Sequence, residues 1–476
     1  MTDYVREEHH EFIAASHDAI GNDKLQGVLG RLADSLGQRN KDAWAAFADS
    51  PKARDRARSI KDETLAHLDE HLEKLEEQVI ARGGNVHWAD NGEEACAHIL
   101  KILEDCKARK VVKSKSMTTE EIHLNKVLEG VGIETIETDF GEYIIQVAGH
   151  RPSHIVAPAV HLNAGDVAEI LSEEAGEPLP ADRKELAAFA RRQLRQAFAT
   201  ADVGITGVNF AIAETGTTVL ISNEGNGRLT TSMPRVLISI MGMEKVIPQL
   251  ADLPYFLKVL ARAATGQKLS VYTSVVSGAR QEGELDGPEE FHLIILDNGR
   301  SRILSSPLRE SLFCIRCGAC LNACPIYRNV GGHAYGGVYA GPIGAVLTPL
   351  YDGLTKNEHL PHASSLCGAC QAACPVKIAI PELLIKLRDQ LDDEPGQTSW
   401  LERRAYGFWA RSMRTSWLYR LGTWLATRTI GKWKRKSPWL RWLPGKLKGW
   451  TESRDFPAPA NERFRDWWRK EGQHES

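Results

Sequence analysis

The chain has 476 residues, of which 42% are hydrophobic and 25% charged, with a formal net charge of −3. That length holds two or three domains with sizeable cores, and the composition is that of an ordinary soluble protein. The opening MTDYVREEHHEFIAASHD lacks an apolar h-region, and no run approaches the roughly 18 apolar residues a membrane span needs; this excludes a secretory signal and a spanning helix and leads us to expect a cytoplasmic protein.

Residues 1–80 are rich in Ala, Glu, Lys, Asp and His, and Leu65, Leu68, Leu72, Leu75 and Val79 recur at three- and four-residue steps, which predicts a helical lead-in. From 81 to 305 the texture changes to short β-branched runs alternating with helix-like stretches, the signature of a mostly parallel α/β sheet. Strands are expected at 85–88, 110–113, 133–137, 154–157, 203–213, 217–223, 235–241, 269–275 and 291–296. Cys96 and Cys106 fall in a helix-like stretch beside Ala95, Ile99 and Leu103, where free cysteine fills core space.

Within the α/β region, Lys113-Ser-Lys115-Ser-Met-Thr118-Thr-Glu-Glu121 carries a strand into a helix, with Thr118 and Glu121 spaced as a capping box. Such a turn, with Lys113 and Lys115 beside it, holds a carboxylate or phosphate at the carboxyl end of a sheet, or is an ordinary capped helix with solvated lysines. Glu214, in the tight turn Glu-Thr-Gly-Thr, is a second candidate, as a base or a ligand for a hydroxyl. Lys113, Lys115 and Glu214 are thus weak catalytic candidates. His150, His154 and His161 fit no zinc pattern and read as structural. No G-x-G-x-x-G follows a strand, so no ordinary flavin or nicotinamide site is predicted.

Residues 306–391 carry seven of the nine cysteines, in CIRCGACLNACP (314–325) and CGACQAACP (367–375). The first run is the complete C-x2-C-x2-C-x3-C-P pattern of cubane iron–sulfur ligation, in which the cysteine before proline reaches across to the neighbouring cluster. That crossover assigns Cys314, Cys317, Cys320 and Cys374 to one cluster and Cys324, Cys367 and Cys370 to a second. The second set lacks a fourth cysteine, because Ser364 stands where it would fall; this leaves either a three-cysteine [4Fe–4S] centre with an oxygen or external ligand, or a 3Fe cluster. Paired C-x2-C motifs also bind zinc. A disulfide framework belongs to short secreted chains and is set aside. The glycine-rich 331–349 stretch between the runs is expected to allow close backbone approach.

Residues 392–476 form a tail holding ten of the twelve tryptophans and, from Trp400, 18 Lys+Arg against 7 Asp+Glu. Aromatic and leucine residues segregate from Arg and Lys on a helical wheel, as in a docking helix for an acidic partner or a peripheral helix at the inner face of a membrane; nucleic acid is not expected.

Taken together, SHIVAPAVHLN, ETGTTVLISNEGN, the two cysteine runs and the ending FPAPANERFRDWW resemble the lactate utilisation protein B family, the iron–sulfur subunit of a bacterial L-lactate oxidation system. The resemblance implies an α/β lactate-utilisation domain similar in fold to sugar-phosphate isomerases and CoA transferases, a mainly helical two-cluster ferredoxin-like module, two [4Fe–4S] clusters, and partner subunits of a lactate utilisation complex. The function it implies is an oxidoreductase subunit that relays single electrons, during conversion of lactate to pyruvate, toward an acceptor such as quinone. Two alternatives stay open: the chain itself oxidises a 2-hydroxy acid at its α/β domain, or it is a non-catalytic redox sensor or scaffold.

Overall fold

Four helices open the described part of the chain: α1 (Phe12–Gly21), α2 (Asp23–Ala45), α3 (Ser50–Ala66) and α4 (Leu68–Ala81). The computed structural model describes residues 12–394, 400–433, 438–444, 448–451, 454–458, 460 and 462–472, so the first eleven residues of the expected lead-in lie outside it. Leu65, Leu68, Leu72, Leu75 and Val79 are all buried, as their spacing requires.

A six-stranded parallel sheet follows. It is built from β1 (Asn85–Ala89), α5 (Gly92–Asp105), β2 (Lys110–Lys113), α6 (Met117–Glu121), α7 (Leu124–Gly130), β3 (Glu134–Glu137), α8 (Phe140–Val147), α9 (Ala164–Ala175), α10 (Arg183–Thr200) and β4 (Val203–Gly207). The chain then passes through β5 (Phe210–Ile212), β6 (Thr217–Ser222), α11 (Asn226–Ser232), β7 (Val236–Gly242), β8 (Val246–Ile247), α12 (Leu253–Thr265), β9 (Tyr272–Val276), β10 (Glu290–Leu296) and α13 (Arg300–Leu304). Strand order is β1-β10-β7-β4-β2-β3, and every pairing is parallel. β7 is buried at every residue, which explains its mostly apolar sequence VLISIMG, and the hydroxyl of Ser239 within it is met by that of Thr206 at 3.1 Å. Alternate residues of β7 serve opposite faces: Ile238 and Ile240 pack with Ile99 and Leu103 of α5, whereas Leu237 and Met241 join the core shared with α3 and α4.

Two strand expectations are corrected. The 203–213 run is two strands, because at Val208-Asn209 the chain leaves the first sheet for a second, ordered β8-β5-β6-β9; Asn209 fixes the crossing, its N–H donating to Val219 and its Oδ1 accepting from Ile221 N–H at 2.8 Å. Residues 154–157 form no strand. The His154 Nδ1 there accepts the N–H groups of Val156 and Ala157 at 3.0 and 3.1 Å, and Ser153 N–H donates to Pro158 O, so the backbone groups a sheet would use are consumed within a loop.

The cysteine-bearing segment is helical: α14 (Ala319–Ala323), α15 (Pro325–Val330), α16 (Gly341–Asp352), α17 (Ala369–Ala373) and α18 (Ile380–Asp393), with short 3₁₀ turns between them. Its buried residues join the same core as α3, α4 and the second sheet. A Cβ on Gly332 would overlap the Ser153 carbonyl, so glycine here does allow close approach between the cysteine segment and the α/β loop. The chain as far as Leu391 is one compact unit. The second, residues 392–476, contains α19 (Trp400–Arg414), α20 (Ser416–Trp433), β11 (Trp439–Leu440), α21 (Lys448–Thr451), β12 (Phe456–Pro457) and α22 (Phe464–Trp467), with β11 and β12 antiparallel. Trp400, Trp409 and Trp417 are exposed, and Arg404 and Arg428 lie over the rings of Trp400 and Trp424. No described helix is long and apolar enough to cross a membrane.

Candidate functional site

The two cysteine runs are built on one backbone plan. Cys317-Gly-Ala-Cys320 and Cys367-Gly-Ala-Cys370 each turn through a left-handed glycine, Gly318 at φ 74° and Gly368 at φ 81°, into the short helices α14 and α17. The residue before each run's C-G-A-C is left-handed too, Arg316 at φ 58° and Leu366 at φ 54°, a conformation that costs a side chain roughly 1 kcal/mol and marks a site under constraint. α14 packs against α17. In consequence Cys317 feels the charges of Cys374 and Cys314, Cys320 feels those of Cys314, Cys317 and Cys374, and Cys370 feels those of Cys324 and Cys367. A cavity lined by Cys314, Cys317, Cys320 and Cys374 is otherwise closed largely by apolar side chains, among them Ile155, Ile343, Ile378 and Ile380.

Backbone N–H groups of Arg316, Tyr327 and Ile378 donate to the sulfurs of Cys314, Cys324 and Cys374 at 3.4–3.5 Å. Burial pushes the Cys370 and Cys374 thiols up to about 11, and the neighbouring cysteines push further in the same direction. Thiolates crowded into so apolar a cage are stable beside a cationic metal core, so the donor set fits an iron–sulfur cluster. Among the described residues no three donors converge as they would on a single ion, and in a cubane each thiolate binds an iron of its own. Cys367 is exposed; the Ala369 N–H and the Ser365 hydroxyl lower its pKa, while the Ser364 hydroxyl accepts from Leu366 N–H. The Tyr335 hydroxyl is buried without a partner, in the field of Cys324, Cys320 and Cys370.

A second cavity, of about 270 Å³, opens at the carboxyl ends of β2 and β4. From β2 the chain proceeds outward to β3 and from β4 inward to β7, so this is the topological switch point, where open α/β sheets bind ligands. Its walls include Ser114 and Lys115 after β2, Gly207 and Asn209, Asp139 and Glu224, and Lys245, Arg316 and Cys317. Arg316, Cys317 and Ile155 also wall the cysteine cage, so the two cavities share one partition.

Behind that partition lies a buried charge network. Arg300 makes a two-pronged contact with Glu121, at 2.9 Å on each side, and its Nε donates to Glu244 at 2.6 Å. Arg316 reaches Glu244 at 3.3 Å and Tyr351 at 3.2 Å and lies over Tyr339; Lys61 donates to the Glu244 carbonyl. Burial alone would raise Glu244, but Arg300, Arg316, Lys245 and Lys61 hold it at about 2. Burial and then Arg316 lower Lys245 to about 8, and burial and then Asp139 raise Glu224 to about 7.

The residues singled out in the sequence are dispersed. Lys113 is fully buried and turned into ion pairs with Glu137 at 2.6 Å and Glu120 at 3.2 Å, away from the cavity. Lys115 lines the cavity but is paired with Glu142. Glu214 sits in the β5–β6 turn, its carboxylate accepting from Leu250 N–H at 2.9 Å, and does not line the cavity. The Thr118/Glu121 capping box is not formed: Ser116 Oγ caps α6, a helix of one turn, so Thr118 lies inside the helix, and Glu121 pairs with Arg300 instead. His154 is buried against Asn322, and His150 and His161 contact each other at 3.3 Å. Cys96 fills the core between α5 and the sheet, and Cys106 is partly buried against it. Lys245 and Glu224 were missed. The signal for Lys245 was a Met-Glu-Lys directly following a mostly apolar strand, and for Arg316 its place inside the cysteine motif.

Three family models match the chain: the LUD domain over residues 72–296, the 4Fe-4S dicluster domain over 310–378, and lactate utilisation protein B, C-terminal, over 386–473. Curated relatives named lactate utilization protein B include those of Macrococcus caseolyticus, 45% identical with 96% of each chain covered, and Shouchella clausii, 47% identical with 96% of each covered. The Oceanobacillus iheyensis relative is 48% identical over 86% of this chain and 85% of its own. A crystal structure of a DUF162 family protein from Deinococcus radiodurans overlaps 48% of this chain and 98% of its own at 16% identity, with a TM-score of 0.28. With a 4Fe-4S dicluster domain between a LUD domain and the family's own C-terminal region, and near-full-length relatives above 40% identity, the chain belongs to the lactate utilisation protein B family.

Proposed function

We propose that this protein is the iron–sulfur electron-transfer subunit of a lactate-oxidising system, with one [4Fe–4S] cluster on Cys314, Cys317, Cys320 and Cys374 and a second on Cys324, Cys367 and Cys370. The observation that carries this is the exchange between runs: Cys374 lies with the first run's leading cysteines, and Cys324 with Cys367 and Cys370. The bound clusters supply one-electron carriage. The protein brings them together by packing α14 on α17, excludes water from the first with isoleucines, and directs N–H groups at the sulfurs, which favours the more negative, reduced state. Cys367, exposed at the second set, is suited to exchange with a partner, and the second set's fourth ligand comes from oxygen or from outside the chain. In this reading residues 1–80, 81–305, 306–391 and 392–476 are a helical brace, the lactate-utilisation domain, the cluster module and a docking tail. Lactate chemistry is supplied by partner subunits, and electrons leave toward an acceptor such as quinone.

Anaerobic purification with iron and sulfide analysis tests it. We expect about eight irons per chain, or seven with a 3Fe centre, and an EPR signal appearing with dithionite. Cys374→Ser should remove the signal of the first cluster and leave the second; loss of the second alone would refute the crossed assignment.

A further inference from the structure

Cations gather beside the cysteines of the first set. α3 carries Arg54, Arg58 and Lys61 at four- and three-residue steps, which places them on one face of the helix. Arg54 Nη2 donates to the carbonyls of Ala372 and Cys374 at 2.8 and 2.6 Å, and its guanidinium and the Cys374 sulfur act on each other's charge. Lys61, further along the same face, is buried and donates to the Glu244 carbonyl. With Lys245 and Arg316, likewise buried, it lies in the field of Cys314. By contrast, the largest influences on Cys324, Cys367 and Cys370 are burial, hydrogen bonds and one another.

These charges do not cancel among themselves. Lys61, Lys245, Arg300 and Arg316 are buried against two buried carboxylates, Glu121 and Glu244. Glu121 is taken by Arg300, and Glu244 is divided between Arg300 and Arg316. Asp55, the acid in the field of Arg54, is itself paired with Lys377. Arg316 Nε and Nη1 and Arg54 Nε are buried without a hydrogen-bond partner. Buried cations short of counter-charge are costly, so a group of them calls for an anion beside it. A thiolate-ligated cubane is such an anion, and it becomes more negative when it accepts an electron. Positive charge next to it therefore favours the reduced state.

We propose that Arg54, Lys61, Lys245 and Arg316 together set the reduction potential of the first cluster independently of the second, raising it against the depressing effect of its apolar cage. The first cluster then holds an electron that the cage alone would repel. This rests on the electron-transfer reading, because the four cations act through the cluster on Cys314, Cys317, Cys320 and Cys374. One electron enters, supplied by dithionite in the test below; no bond is made or broken. The four residues contribute their field and are not catalytic.

The test is an EPR redox titration of anaerobically purified full-length holoprotein near neutral pH, with the first cluster identified as the signal absent from Cys374→Ser. Lys245→Met, which removes one buried charge, should make reduction of the first cluster about tenfold less favourable, a potential about 59 mV lower for one electron, and leave the second in place. Arg54→Gln, on the Cys374 side, should move the same signal in the same direction. The sign separates charge from damage: loosened packing admits water, which stabilises the more charged reduced state and raises the potential, whereas lost positive charge lowers it. The proposal is overturned if both variants leave the first potential unchanged or raise it, if both clusters fall together, or if both variants lose their iron, which would make the cations part of cluster retention. A wild type without iron, or without a dithionite-reducible signal, would refute the electron-transfer reading and this proposal with it. A two-cluster wild type whose variants do not shift would refute this proposal alone.

Discussion

Arg316 stands between the two cavities, and its surroundings make Glu244 the residue on which the partition depends. Glu244 is fully buried and answers two arginines at once. Glu244→Gln leaves Arg300 and Arg316 short of a counter-charge, and losing one partner of a buried ion pair costs about 3–5 kcal/mol. We expect a lower thermal unfolding midpoint by circular dichroism and a lower iron content. An unchanged midpoint would mean that the network is not stabilising. Tyr335 makes the other residue-scale case. Its buried, unpartnered hydroxyl lies in the field of Cys324, Cys320 and Cys370, where its natural acceptor is cluster or cysteine sulfur. A neutral hydrogen bond is worth about 1 kcal/mol, which is about 40 mV for one electron. Tyr335→Phe should therefore lower one cluster potential by roughly that amount in an EPR redox titration, with iron content unchanged. No shift would show that the hydroxyl does not reach sulfur.

At the scale of elements, the edge strand β1 is held to β10 partly through His87 and His292, whose ring nitrogens lie 3.1 Å apart. Burial first, and then His292 and His98, lower His87 to about 4. The folded protein thus refuses a proton that the unfolded chain accepts below its ordinary value of 6.5. The stability His87 contributes is complete above pH 6.5 and falls as pH drops toward 4. Urea midpoints measured from pH 7 to pH 5 should decline, and His87→Phe should flatten the decline; an unaltered slope would assign the acid sensitivity elsewhere. Elements also explain the loop at 154–157. Its β-branched and apolar residues read as a strand, but a histidine able to accept two backbone N–H groups, between two prolines, stabilised a loop that presents Ile155 and Val156 to the cavities.

For the whole molecule, the described N-terminal helices brace the cysteine segment. Arg54 and Arg58 of α3 donate to the carbonyls of Cys374 and Lys377, Arg58 also pairs with Glu310 at 2.6 Å, and Gln26 of α2 donates to Asn329 O. The cysteine segment is thereby clamped from the start of the chain. All seven motif cysteines and both cavities belong to the unit that ends at Leu391. A chain ending at Leu391 should fold and keep full iron content, while losing delivery of electrons to partner or acceptor if the Trp-rich tail docks the protein. Iron loss on truncation, measured on the purified protein, would make the tail part of the cluster module's stability instead.

The sequence by itself determined what depends on local spacing. The cysteine runs, the amphipathic helices and the apolar parallel strands are legible because ligation geometry and the 3.6- and 2-residue periods act over a few neighbouring residues. The seven cysteines were named this way, and the carboxyl edge of the sheet was named only as a candidate place for a ligand. Only the tertiary structure decided which charged residues meet there. Lys113, the more prominent lysine in the sequence, is neutralised inside the fold by Glu137, whereas Lys245 and Arg316, 71 positions apart, arrive at one cavity, where Arg316 is paired with Glu244. Whether a charge is spent or available depends on partners distant in the chain, and no local pattern records them.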